Sequence, residues 1–302
     1  MLQLLQARCQ LQRLPNLVDH ARSLAPRRQS TKSNSPARRS RPKQFGQSSF
    51  IVLKRVGGLL LACAIASGVA PAQAQSSSFL ERHVIGTSVL GTPIEAVRLG
   101  TKGGVVVVVV GVNHGNEAAG LLFTDALQET VVPNGIDLWI IPTMNPDGTA
   151  LNQRGNANRV DLNRNFPYNW AKMGKPGYWQ FAGKSKASEP ETKAIVAFMR
   201  EIKPSLGIWY HQDLNIISPG TGLEGTMRSA YSRLTGIPIK RITGGRYTGV
   251  AATWQRHSVK DGMAFVVELG KTLDSTQAKV HSSAVLNIAM LLRDAPSSKL
   301  DK

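Results

Sequence analysis

Cysteine is almost missing from this sequence: 302 residues contain two, Cys9 and Cys63. Both precede residue 75, so the rest of the chain can form no disulfide, and any metal it binds must be held by histidine and carboxylate. The scarcity leaves the compartment undecided, since chains without disulfides occur in all of them. There is no internal repeat. Past residue 74 there is also no long Lys/Arg run, which matters because the formal charge of +18 otherwise suggests a nucleic-acid partner. Twelve of the 37 bases and one of the 19 acids lie in residues 1–74, leaving 25 bases against 18 acids beyond, a net of +7. That mild surplus fits an anionic polymer such as cell wall and does not favour nucleic acid.

What is present begins with a targeting pattern. Lys54-Arg55 precedes VGGLLLACAIASGVAP and then Ala72-Gln73-Ala74, the basic, apolar and small-residue segments of a secretory signal peptide. The apolar run is short for a spanning helix, which needs roughly 20 residues. Cleavage is expected after Ala74, giving a periplasmic or secreted protein with no stable membrane insertion. A lipid anchor on Cys63 and a retained membrane anchor are the competing readings. Residues 1–50 are rich in Arg, Ser, Pro and Gln with no apolar period, and are expected to be disordered or to precede a true start near residue 51. Arg38-Arg39 lies too far from the apolar run to serve well as a twin-arginine signal.

From about residue 79 the pattern alternates between strand and helix. GGVVVVVVGV (103–112), IDLWIIPT (136–143), LGIWYH (206–211) and MAFVVEL (263–269) are continuous apolar runs, as expected of strands buried on both faces. Helices are expected near 117–130, 189–202, 226–235 and 276–293. The second has a start signal in Ser188-Glu189-Pro190-Glu191, with Ser188 as cap and acids facing the positive helix end. The alternation implies one layered α/β domain over 75–295, followed by a polar tail, 296–302.

The chemistry gathers at strand ends, where open α/β sheets place binding groups. His114 and Glu117 follow the most apolar strand, spaced so that a loop entering a helix can aim both at one point, and imidazole and carboxylate are ordinary zinc ligands. His-x-x-Glu alone is a weak signal. It gains weight from His211 at the end of another buried strand and from Glu268 within a third, where an unpaired carboxylate is costly and its pKa is expected to rise. The polar stretch from Asn145-Pro146-Asp147-Gly148 to Asn163-Arg164-Asn165 follows a further buried strand.

NPDGTALNQRGNANRVDLNRNFP (145–167), together with HGNE, SEPET (188–192), WYHQ (209–212) and FVVELG (265–270), resembles the zinc carboxypeptidase superfamily. Within it the likeness is to the amidases that cut γ-D-glutamyl–diaminopimelate in cell-wall peptides. The resemblance covers nearly all of the chain beyond the signal segment. It implies a mixed, mostly parallel twisted sheet flanked by helices and one Zn²⁺ per chain held by His114, Glu117 and His211. It also implies Glu268 as general base, Arg154 polarising the scissile carbonyl, and Asn163 with Arg164 gripping a free carboxylate. Tyr247 in RYTGVAATW (246–254) matches a mobile tyrosine of the family only with a gap. Small residues at Ala251 and Ala252 argue against an acidic pocket for Lys or Arg side chains.

The bland readings are these. Asn156, Asn158 and Asn165 hold the loop, and Asp161 braces it or orients a ligand histidine. His83, His257 and His281 are surface or satisfied core residues, His257 in a loop. The aromatics Tyr168, Trp170, Tyr178 and Trp179 either form a substrate rim or pack an insertion. The expected activity is hydrolysis of an amide beside a free carboxylate, in a peptide such as a muropeptide. An N-acyl amino acid deacylase of the aspartoacylase or succinylglutamate desuccinylase type is the alternative, because those enzymes share His-Gly-Asn-Glu and Asp-Leu-Asn-Arg. A wall-binding module without activity is the third reading, opposed by the presence of all three ligand residues, Glu268 and Arg154.

Overall fold

The computed structural model describes residues 79–296; the readings of residues 1–74 and of the tail beyond Pro296 lie outside the described residues. The described chain runs β1 (Phe79–Thr87), β2 (Pro93–Gly100), β3 (Val105–Val112), α1 (Ala119–Gln128), β4 (Ile136–Thr143) and the short α2 (Pro146–Ala150). It continues through a 3-10 turn at Leu162–Arg164 to α3 (Pro190–Ile202), β5 (Leu206–Gln212), β6 (Ile216–Ile217), α4 (Gly222–Thr235), α5 (Ala251–Ser258), β7 (Met263–Leu269) and α6 (Ser275–Arg293).

The strands form one seven-stranded sheet in the order β1-β2-β4-β3-β5-β7-β6. The central four, β4, β3, β5 and β7, are parallel, while β1, β2 and β6 add antiparallel pairings at the two edges. This is the mixed, mostly parallel sheet expected. The four apolar runs became those central strands, because a strand covered on both faces has no polar side to present. In β3 alone, Val107 to Val110 and Val112 are fully buried, each contributing roughly 1.5–3 kcal/mol by leaving water.

Alternation along each strand divides the core in two. Val107, Val109, Ile208, Tyr210, Phe265 and Val267 pack in one cluster with residues of α1, α4 and α6. Val108, Val110, Trp209 and Ala264 pack in the other with residues of α3 and α5. The second layer brings Gln255 of α5 under β5, where its Oε1 accepts from Trp209 Nε1 at 2.9 Å. Among the described residues no helix is long and apolar enough to cross a membrane.

Two local expectations are corrected. His257 lies in helix α5, not in a loop; its segment has no side-chain cap and follows a glycine-containing stretch, so no start signal marked it. Helix α3 has Pro190 in its first turn as expected, but Glu189 occupies the cap position and no side chain caps the end. Glu189 instead accepts from Ser188 Oγ, Asn156 Nδ2 and Asn158 Nδ2, and the buried Glu191 accepts from Val89 N and Asn156 Nδ2. These acids anchor the neighbouring loop.

Candidate metal centre

β3 ends at Val112 and the chain turns through Asn113 to Glu117 before α1. That turn lies against α2 so closely that a Cβ on Gly115 would fall 1.9 Å from the carbonyl carbon of Gly148; only glycine fits there. The Asn-Pro-Asp-Gly segment builds the other wall. Asn145 caps α2 by accepting from Gly148 N and donates to the carbonyls of Asn113 and Arg154. Asp147 accepts from Ser88 Oγ, Thr92 Oγ1 and Leu90 N, tying the β1–β2 turn to the site.

The fold brings His114, Glu117 and His211 together, with one ligand atom from each lying within 4.8 Å of the others. All three are buried. His114 Nδ1 and His211 Nδ1 stand 3.1 Å apart, 2.8 and 2.9 Å respectively from the Glu117 carboxylate. His114 Nε2 lies 2.9 Å from Asp161 Oδ1, and a proton shared with that carboxylate leaves the Nδ1 lone pair turned toward Glu117 and His211. Two imidazole lone pairs and a carboxylate directed at one point are the donor set of a zinc site. The residues therefore fit the metal.

Asp161 holds this arrangement from behind. Its Oδ1 also accepts from Asn163 N, and its Oδ2 accepts from Arg154 Nε and Nη2 at 3.1 and 2.9 Å. Arg154 Nη1 reaches Glu117 Oε1 at 3.0 Å. Burial alone would raise Glu117 and Asp161, but the cations around each hold both well below the usual carboxylate range. Burial works against the charge of His114, yet Asp161 and Glu117 leave it raised; in His211 burial prevails and the shift is downward.

Glu268 comes from the adjoining strand, where register pairs it with His211. It is pushed up to about 7, first by burial and then by the charge of Glu117. Asn163 and Arg164 sit on the 3-10 turn. Asn163 Oδ1 accepts from Ala251 N at 2.9 Å, while its Nδ2 lies 3.3 Å from His211 Nε2. Arg164 is buried and donates to the Asn163 carbonyl, and its Nε has no partner. Its guanidinium lies 5.1 Å from the ring centre of Tyr247, which is half exposed. A cavity of about 610 Å³ opens beside Glu268 and Tyr247, with Ala252 in its wall and three arginines, Arg228, Arg241 and Arg256, around it. Those arginines were missed by sequence reading, because α4, α5 and a loop supply them with no shared motif.

The remaining candidates fall into place. Asn156 and Asn165 are buried loop braces, the latter donating to Ala182 O and Ser185 O. His83 pairs with Glu81, and His281 is a core residue 2.7 Å from Tyr231 Oη. Trp170 packs inward by donating to Ala182 O, and Tyr168 stacks on His257. Trp179 is exposed and lies over Arg154, 5.1 Å from ring centre to guanidinium.

The zinc carboxypeptidase family model matches residues 69–220. The chain is 30% identical over 169 residues to carboxypeptidase SOL1 of Arabidopsis thaliana, covering 50% of this chain and 33% of that protein. It is 33% identical over 147 residues to murein peptide amidase A of Escherichia coli, covering 44% of this chain and 59% of that protein. The matched stretches thus span from a third to under two thirds of these relatives. In three dimensions it is similar to murein-tripeptide amidase from E. coli O157, with TM-score 0.58 and 23% identity over 75% of this chain and 98% of the other. It is also similar to carboxypeptidase A from Helicoverpa armigera, with TM-score 0.62 and 22% identity over 73% and 70% of the two chains. At these identities the likeness in three dimensions speaks for the fold.

Proposed function

From the premise that the chain belongs to the zinc carboxypeptidase family of hydrolases, we propose that it is an exported enzyme cutting an amide bond beside a free carboxylate in peptidoglycan peptides. The observation that carries this reading is the convergence of His114, Glu117 and His211 next to Glu268 on the adjacent strand. The targeting pattern at residues 54–74 and the matched amidase support the periplasmic, cell-wall setting.

His114 Nδ1, His211 Nδ1 and the Glu117 carboxylate would hold the zinc, three protein ligands being the number that leaves a position open. Bound there, zinc supplies Lewis acidity and eases ionisation of a water molecule near neutral pH. The chain's own residues do the rest. Glu268, poised near 7, takes a proton from the attacking water and returns it to the leaving nitrogen as the carbon–nitrogen bond breaks. Arg154, held by Asp161 and Glu117, keeps unused N–H groups for the oxyanion that develops on the scissile carbonyl. Arg164, with its unpartnered Nε, receives the free carboxylate of the substrate together with Asn163, and Tyr247 covers that site from the solvent side.

The test is mass spectrometry of a mixed muropeptide digest treated with the full-length, zinc-loaded protein. Release of diaminopimelate, abolished by chelator and by Glu268→Gln, is the expected result. Faster hydrolysis of N-acyl amino acids than of muropeptides would point to a deacylase.

A further inference from the structure

Between Asp161 and Glu189 the chain carries no acid, yet it carries four lysines, Lys172, Lys175, Lys184 and Lys186. Their charge of +4 is more than half of the net +7 beyond residue 74. All four are exposed, and none has a hydrogen bond or ion pair among the described residues. The acids that bound the stretch are already committed: Asp161 to His114 and Arg154, and Glu189 to Ser188, Asn156 and Asn158. Interleaved with the lysines are three exposed rings, Tyr168, Tyr178 and Trp179, the last 60% exposed.

The loop is held from beneath. Asn165 Nδ2 and Trp170 Nε1 donate to Ala182 O, Ala182 N donates to Met173 O, and Asp161 N donates to the carbonyl of the buried Phe181. Tyr178 lies across Gly174, where φ is +63° and a Cβ would fall 2.3 Å from Tyr178 Cδ1, so only glycine lets the ring rest there. Trp179 lies over the Arg154 guanidinium, which makes the loop one lip of the metal centre. The tips of this anchored loop therefore present rings and cations together at the mouth of the site.

Tyr178 and Trp179, 6.3 Å between ring centres, offer flat amphipathic area at little conformational cost. The ammonium groups around them attract anions over about 8 Å in physiological salt. Flat rings receive the apolar faces of sugar rings, and lysines receive carboxylates. A small anion would need none of the rings, and a neutral peptide none of the lysines. The combination fits a polymer of sugars that carries carboxylates at intervals. We infer that the loop over residues 168–187 is a docking surface for the peptidoglycan polymer itself, with sugar rings of the glycan on Trp179 and Tyr178 and carboxylates of neighbouring stem peptides on the lysines. The assignment rests on the hydrolase reading for the identity of the polymer, since the peptide entering beside Trp179 is then one still joined to its strand. The enzyme works on peptides attached to the wall in preference to free ones.

Co-sedimentation of the full-length, zinc-loaded protein with purified sacculi on ice reads binding independently of cleavage. Wild type should pellet, and less so as ionic strength rises from about 0.01 M to about 0.15 M, which shortens the Debye length from about 30 to about 8 Å. Lys172→Gln, Lys175→Gln, Lys184→Gln and Lys186→Gln together should weaken the apparent Kd about tenfold, a modest sum for four solvent-screened contacts. The same four positions changed to Arg should bind as wild type does, and Trp179→Ala should weaken binding with the lysines intact. Release of diaminopimelate from sacculi should fall with binding in the Gln variant, while kcat/KM on a free tripeptide ending in diaminopimelate stays unchanged. Equal pelleting of wild type and Gln variant overturns the assignment, as does an Arg variant as weak as the Gln variant. Tighter binding to anionic phospholipid vesicles or to an oligonucleotide than to sacculi overturns it too. If neither sacculi nor tripeptide is cleaved, the hydrolase reading fails separately, and the pelleting results still decide the loop.

Discussion

Glu117 and Glu268 are carboxylates of one site, and burial disfavours the charge of both, yet they are driven in opposite directions. Glu117 is surrounded by His114, His211, Arg154 and the amide of Gln212, all within hydrogen-bond distance, and stays ionised far below the usual range. Glu268 makes no side-chain hydrogen bond among the described residues, and burial leaves it near 7. The same residue type therefore serves as a fixed anion where donors surround it and as a movable-proton group where they do not. The contrast extends to their surroundings: the ligand side is tightly cross-linked through Asp161, whereas the Glu268 side opens into a cavity.

The largest expected effect comes from removing the movable proton. Glu268→Gln keeps the shape and deletes the proposed base, and should lower kcat on a muropeptide by about 10³-fold, within the range of general acid–base catalysis. Zinc content, measured by atomic absorption, should stay at one per chain, because the ligand side is untouched. Loss of zinc together with activity would erase the distinction between the two carboxylates.

The same substitution should make the metal-free protein more stable at high pH. A carboxyl raised from 4.5 to about 7 binds a proton more tightly folded than unfolded. Its contribution is therefore present below pH 4.5 and lost as pH rises through 7, by roughly 3 kcal/mol at 1.36 kcal/mol per unit. His281, lowered to about 4 by burial, acts in the opposite sense, gaining stability as pH rises from 4 to 6.5. The raw pH–stability curve thus mixes the two, and the difference between wild type and Glu268→Gln isolates the first. Urea unfolding from pH 4 to 8 should show that difference growing in favour of the variant as pH rises. A flat difference would mean that Glu268 is better solvated than its place on β7 implies.

How much of this could be read in advance followed from how local each signal is. The four central strands were legible almost to the residue because burial on both faces demands an unbroken apolar run. β1 and β2 were not singled out: FLERHVIGT has an exposed face and belongs to an edge, so its polar residues dilute the pattern. Helix α5 went unseen because AATWQRHS is only eight residues long and buries a single large apolar side chain, Trp254, beside two alanines and Gln255. The ligand residues and Glu268 stand at strand ends and could be picked out singly. That His211 and Glu268 are register partners depends on the order of β5 and β7 in the sheet, which the sequence does not state. The arginines of the cavity were illegible for the same reason, since α4, α5 and a loop meet only through tertiary packing.

The smallest effect tests the ligand side through a residue that touches no metal. Asp161 Oδ1 meets His114 Nε2 at 2.9 Å while Oδ2 takes two N–H groups of Arg154. Asp161→Asn leaves a carbonyl that can still accept on one side but puts an NH₂ where the other oxygen was, facing either His114 or the Arg154 guanidinium. In either orientation one contact turns from attraction to repulsion, and the proton on His114 is no longer fixed at Nε2. Zinc affinity, read by competition with a chromophoric chelator, should fall by about 10–100-fold, the range found when partners of ligand histidines are removed. At saturating zinc a smaller loss in kcat should remain, because Arg154 has lost one of its two anchors. If affinity were unchanged and only kcat fell, Asp161 would belong to Arg154 alone, and the cross-linked ligand side would not depend on its link to His114.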